Sequence, residues 1–151
     1  MKIKILASIT MILLGGPEAL AYLGGTSDSI KEDQSVLSSS TPTSKSQKDY
    51  SISELDLGGS QIREYISSSG IIFGIAWSGN SHPKNINQLL GKYKALYLSA
   101  MGASPKGHGH RTSYVKSQDL VVQMWGHPRN LRGRAYATSL LPQGVKSNEI
   151  N

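Results

Sequence analysis

The sequence predicts an α+β domain, an antiparallel sheet of roughly five strands with one amphipathic helix packed on one face. Three observations lead there. Apolar residues alternate with period two through 61–66, 71–77, 119–125 and 131–137; the stretch 84–101 switches to helical spacing; and the joints carry glycine, proline and asparagine.

In "QIREYI" (61–66), Ile62, Glu64 and Ile66 project one way and Arg63 and Tyr65 the other, while "IIFGIAW" (71–77) sends Ile71, Phe73, Ile75 and Trp77 to a single face. "SSSG" between them is a turn ending in a residue that tolerates positive φ, so the pair reads as a hairpin. "YSISELDL" before it is a weaker third strand. Ser81 then offers a cap and Pro83 a first helical turn. Ile86, Leu89, Leu90, Tyr93, Tyr97 and Met101 follow as an apolar stripe that outweighs the roughly 1 kcal/mol cost of Gly91 in a helix interior. "GASPKGHGH" (102–110) is a loop, and "GHPRN" (126–130) joins two further strands, "DLVVQMW" and "LRGRAYA".

Residues 1–21 form a signal peptide by pattern: Lys2 and Lys4, an apolar run from Ile5 to Leu14, and "ALA" at 19–21. That run is about half the ~20 residues a membrane-spanning helix needs, so the chain is expected to be exported, periplasmic or secreted, and not membrane-spanning. Residues 22–48 read as an N-terminal helix-like segment, with a capping box at Ser29 and Glu32, followed by a Ser/Thr-rich flexible linker without apolar residues at 38–48. The single α+β domain is expected over 49–151.

With no cysteine in the chain, disulfides, thiolate metal sites and cysteine nucleophiles are excluded. Charge is unevenly placed. Residues 22–83 carry 4 basic and 7 acidic side chains and 84–151 carry 10 basic and 2 acidic, net −3 and +8. In an exported chain this favours an anionic envelope polymer or another envelope protein as partner over nucleic acid. It leaves the oligomeric state open.

"REYISSSGIIFGIAWSG", "LLGKY", "DLVV" and "GRAYATSLLPQGV", in this order behind an opening "LGG", resemble the bacterial family known as domain of unknown function 2844. The resemblance covers nearly all of 22–150. It implies a small secreted or envelope protein and brings no activity, substrate or catalytic residues.

Among candidate chemistries, His108 and His110 in "KGHGHR" lie on one side of an extended chain and are weak metal candidates, incomplete without a third ligand such as His82 or His127. No cofactor motif is present, and the two S-x-x-K matches, Ser81/Lys84 and Ser113/Lys116, lack their companion motifs. Asp119 reads as the start of a strand. The best candidate ligand-binding surface is Trp125, His127, Arg129, Arg132, Arg134 and Tyr136, because guanidinium forks hold carboxylate or phosphate oxygens and aromatic faces add selectivity. The commoner use of such residues is a solvated strand face, here with Glu64 as a cross-sheet partner of the arginines and Tyr136 beside Arg63.

The reading that follows is a non-enzymatic binding or envelope-associated module. A small envelope hydrolase or metal-dependent enzyme, and a structural or assembly subunit, are the competing readings.

Overall fold

The computed structural model describes residues 22–27, 43–56, 59–83, 86–103 and 112–151. The expected leader, the capping box at Ser29 and Glu32, and the loop holding His108 and His110 lie outside the described residues.

Seven strands make one antiparallel sheet: β1 (Thr43–Ser46), β2 (Tyr50–Asp56), β3 (Ser60–Ser67), β4 (Ile72–Gly79), β5 (Ser113–Ser117), β6 (Leu120–His127) and β7 (Asn130–Ala137). Their order is β1-β2-β3-β4-β7-β6-β5, so two meanders meet at the central β4–β7 pair. The five expected strands are present and two more join them. β1 falls in the stretch read as linker; all four of its residues are exposed, and it is held by backbone pairing with β2 and the Lys45–Glu54 ion pair. In β5 only Val115 is buried, an alternation too short to stand out in sequence.

The β3–β4 hairpin turns at Gly70, whose φ of +78° needs no strain in a residue without Cβ. Next to it the register slips: Tyr65 pairs with Gly74 and Ile66 with Ile72, leaving Phe73 as an extra residue. This bulge moves Phe73 to the face opposite Ile75 and Trp77, correcting the single face expected for these side chains.

The expected single helix is two pieces, α1 (Ile86–Leu89) and α2 (Lys94–Ala103), separated by a 3-10 turn at Gly91–Tyr93. Gly91 has φ +50°, and a Cβ there would overlap the ring of Tyr22. The glycine is therefore the break, not a tolerated defect. The break re-phases the stripe, so Leu89, Leu90, Tyr93 and Tyr97 pack on Ile62, Ile66, Ile75 and Trp77, while Met101, expected inside, is 46% exposed.

Tyr22–Ser27 is packed on the domain. Leu23 is fully buried, its N–H donates to Leu89 O at 2.8 Å, Gly24 N–H donates to Ile72 O at 2.8 Å, and Ile72 N–H donates to Gly25 O at 2.9 Å.

The second face of the sheet is covered too, where water was expected. Tyr65, Phe73, Ala76, Val121, Tyr136 and Ile150 form a second core, with Leu140, Leu141 and Val145 packed against it. The chain after β7 thus returns across the sheet. Asp119 anchors its start from the β5–β6 turn, not from a strand: its carboxylate accepts from Thr138 Oγ1 at 2.7 Å, from the Ser139 N–H and hydroxyl, and from the Tyr93 hydroxyl at 3.3 Å. Burial alone would raise the Asp119 pKa, but the Ser139 and Thr138 hydrogen bonds outweigh it and hold it below the ordinary aspartate value.

Candidate functional site: a trough along the central strand

On the face crossed by the C-terminal segment, β4 beyond the bulge at Phe73 presents small residues, Gly74, Ala76 and Ser78, while its neighbours present long ones. Gly74 lies between Tyr65 and Tyr136, Ala76 between Arg63 and Arg134, and Ser78 between Gln61 and Arg132. Small side chains flanked by large ones leave a trough, since strand side chains stand perpendicular to the sheet.

One end of the trough is full. Ile150 packs over Gly74, where a Cβ would meet its Cδ1 at 2.8 Å. Asn151 continues over the next row, its main-chain oxygen accepting from Arg63 Nη1 and from the Tyr65 hydroxyl, each at 2.8 Å, and its N–H donating to the Tyr65 oxygen at 3.0 Å. Arg134 holds the same segment through Nη1, which donates to Ser147 O at 2.8 Å and Ile150 O at 3.2 Å, while its Nε donates to Gln123.

The other end is open. A cavity of about 90 Å³ lies there, lined by Gln61, Arg63, Ser78, Trp125, Arg132 and Asn151 among others. The arginines around it differ in commitment. Arg63 has Nη1 on Asn151, Nη2 on Gln61 at 3.0 Å, and Nε 3.1 Å from Glu54 Oε1, off the hydrogen-bonding direction. Arg132 is exposed, and among the described residues its polar contact is a long one, Nε to Asn130 Oδ1 at 3.5 Å. The Arg134 guanidinium carbon lies 5.9 Å from the centroid of the Trp125 ring, a cation–π distance that fixes the ring as the outer wall.

Of the residues singled out in sequence, the structure brings Trp125, Arg132 and Arg134 together. Tyr136 sits in the second core at 9% exposure. His127 and Arg129 are exposed at the β6–β7 turn and do not line the cavity. That turn is two residues, Pro128 and Arg129, not five, and Arg129 has φ +70°. Glu64 is buried on the helix-covered face in line with Ile75 and Ala135, so the register forbids the expected pairing with Arg132 or Arg134. Sequence reasoning missed Gln61, Arg63, Ser78 and Asn151. The signal for the trough was the small residue at every second position of "GIAWS".

Away from the trough, the Trp77 indole N–H donates to His82 Nδ1 at 3.0 Å, and burial pulls the His82 pKa below the ordinary histidine value. This imidazole is engaged with the core. Among the described residues no group of three metal-ligating side chains occurs, and no helix is long and apolar enough to cross a membrane. A larger and more open depression of about 570 Å³ near the β1–β2 hairpin is lined largely by serine hydroxyls, with Lys48 beside Asp49. It offers no arginine fork.

No curated protein and no solved structure matches the chain. A family model described as "Protein of unknown function (DUF2844)" matches residues 19–150, and the chain therefore belongs to that family.

Proposed function

We propose that the protein is a non-enzymatic binding module that recognises an anionic group, on an envelope polymer or a partner protein, at the open end of the trough. The observation that carries this reading is the state of Arg132. Its neighbours Arg63 and Arg134 hold main-chain oxygens of the chain's own C-terminal segment, whereas Arg132 projects beside an aromatic wall and a cavity with its fork uncommitted among the described residues. A guanidinium so placed supplies paired donors to an oxyanion, and the excess of basic residues in 84–151 supplies long-range attraction.

Export to the periplasm or beyond is part of the same proposal, supported by the leader-like residues 1–21. A cut after Ala21 leaves the docked Tyr22–Ser27 segment whole. Replacement of Arg132 or Trp125 by alanine is expected to lower retention of the tagged protein on anionic envelope fractions several-fold, with circular dichroism unchanged. Equal retention of wild type and both variants contradicts the site.

One observation favours a second reading, assembly through a sheet edge. β5 is the last strand of the sheet, and its Tyr114 is 57% exposed. Sedimentation showing monomer alone across a wide concentration range would dismiss it.

A further inference from the structure

We infer that the outer edge of β5 docks a second copy of this chain, as an antiparallel β5–β5 pair centred on Val115. The inference rests on the second reading above, assembly through a sheet edge, and names its partner and its register.

The sheet has two end strands, β1 and β5. In β1, Thr43, Ser44, Lys45 and Ser46 are all exposed and none is apolar, so pairing there brings no hydrophobic gain. Exposed apolar surface gathers at the other end. Tyr114 on β5 is 57% exposed, and Leu98 and Met101, at 48% and 46%, belong to α2, the helix that packs on β5 and β6. Apolar side chains exposed together mark a contact surface more than scattered ones do.

The backbone fixes which groups are free to pair. Gln118 and Asp119 form a two-residue turn, so Ser117 and Leu120 exchange both of their hydrogen bonds, and alternation makes Val115 and Ser113 bond to β6 in the same way. The N–H and C=O of Tyr114 and Lys116 therefore point away from β6. Among the described residues no strand takes them.

The stretch "SYVKS" (113–117) is its own complement. Run antiparallel against its copy about Val115, it sets Ser113 across from Ser117, Tyr114 across from Lys116, and Val115 across from Val115. Each Tyr114–Lys116 pair then exchanges both backbone hydrogen bonds, and on that face each ammonium meets a tyrosine ring. On the helix-covered face the two Val115 side chains meet as a non-hydrogen-bonded pair, the closer spacing of roughly 4.5 Å between Cα atoms. Centring the pair on Lys116 instead would oppose like charges. A register that is its own inverse makes an isologous contact, which closes at a dimer. Set over β5 and β6, α2 and its twofold mate stand about two strand spacings apart, roughly 10 Å, a distance at which helices pack. The net +8 of residues 84–151 opposes the approach of two copies and is screened by salt.

The test is sedimentation equilibrium of the purified protein in about 0.15 M salt. The expected result is a reversible monomer–dimer equilibrium with a Kd on the order of 10 μM. Tyr114→Pro removes an outward N–H and no bond to β6, so it should abolish the dimer. Tyr114→Ser leaves the backbone intact and serves if the proline variant fails to fold; it should weaken the dimer about tenfold, through loss of both ring–ammonium contacts. Register is read by oxidising Val115→Cys. The chain has no cysteine of its own, so a disulfide there joins two copies at the twofold axis. Ser44→Cys on β1 is the control and should stay uncrosslinked.

Monomer alone over a wide concentration range overturns this proposal and the assembly reading together. A dimer unchanged by Tyr114→Pro and Tyr114→Ser, with no crosslink in Val115→Cys, overturns the β5 contact and leaves assembly to another surface. A dimer lost in Tyr114→Pro but uncrosslinked in Val115→Cys overturns the register alone. Open-ended growth beyond dimer, with crosslinking absent, marks β5 pairing with β1 of the next copy and overturns the twofold contact.

Discussion

Arg129, Arg132 and Arg134 sit within six residues of one another and do three different things. Arg134 is structural: Arg134→Ala removes charge-assisted bonds to Ser147 O and Ile150 O, each of a kind worth about 1.5–3 kcal/mol, and should lower the midpoint of urea unfolding clearly. Arg132→Ala, at an exposed position, should stay within about 0.5 kcal/mol of wild type in the same assay. Arg129 occupies the left-handed region at φ +70°, so Arg129→Gly should stabilise by a few tenths to about 1 kcal/mol. Two titrating groups add pH dependence. His82 has a lowered folded-state pKa, so the unfolded chain takes up the proton first and stability falls as pH drops through and below the ordinary histidine value of 6.5. His82→Gln should flatten thermal stability between about pH 7.5 and 5. Asp119 also has a depressed pKa, so its contribution is full above the aspartate value of 3.8 and fades as pH falls through the folded-state value. Asp119→Asn should remove that acid limb. The basic cluster was legible in sequence. The division of labour within it was not, because it depends on where residues 147–151 cross the sheet, and no local spacing encodes that path.

At the scale of elements, alternation was a sound guide wherever a strand buried one face. It led to both hairpins, to Ile62, Glu64 and Ile66 on one side, and to Arg63 and Tyr65 on the other. It failed at two single residues. One extra residue in β4 reverses every side chain before it relative to those after it, which is why Phe73 leaves the face of Ile75. Gly91 resets the helical phase, because the space its Cβ would need belongs to Tyr22, more than sixty positions away. Gly91→Ala should therefore cost more than the roughly 1 kcal/mol an alanine exchange normally gains in a helix, with the sign reversed. Leu23→Ala, which empties a fully buried site, should cost about 2–5 kcal/mol by the same unfolding measurement. A glycine pair after "YL" gave no sequence hint of core packing. Gly24, at φ +79°, leaves its space to Lys92 and Tyr93, and the two glycines let the backbone reach Ile72.

The whole molecule is a sheet covered on both sides, by the helical layer on one face and by the chain's own C-terminal segment on the other. Three rows on the second face run from apolar to charged to open. Tyr65, Gly74 and Tyr136 lie under Ile150; Arg63 and Arg134, on either side of Ala76, hold main-chain oxygens of the C-terminal segment; Gln61, Ser78 and Arg132 face the cavity. Coverage by residues 140–151 decides both stability and what the arginines can do, so it is the claim on which the rest depends. Nuclear Overhauser contacts from the Ile150 methyl groups test it most directly. The structure predicts contacts to the Gly74 α-protons and to protons of Tyr65 and Phe73, together with a protected Asn151 amide. Random-coil shifts for residues 145–151 with no contact to Gly74 would contradict it.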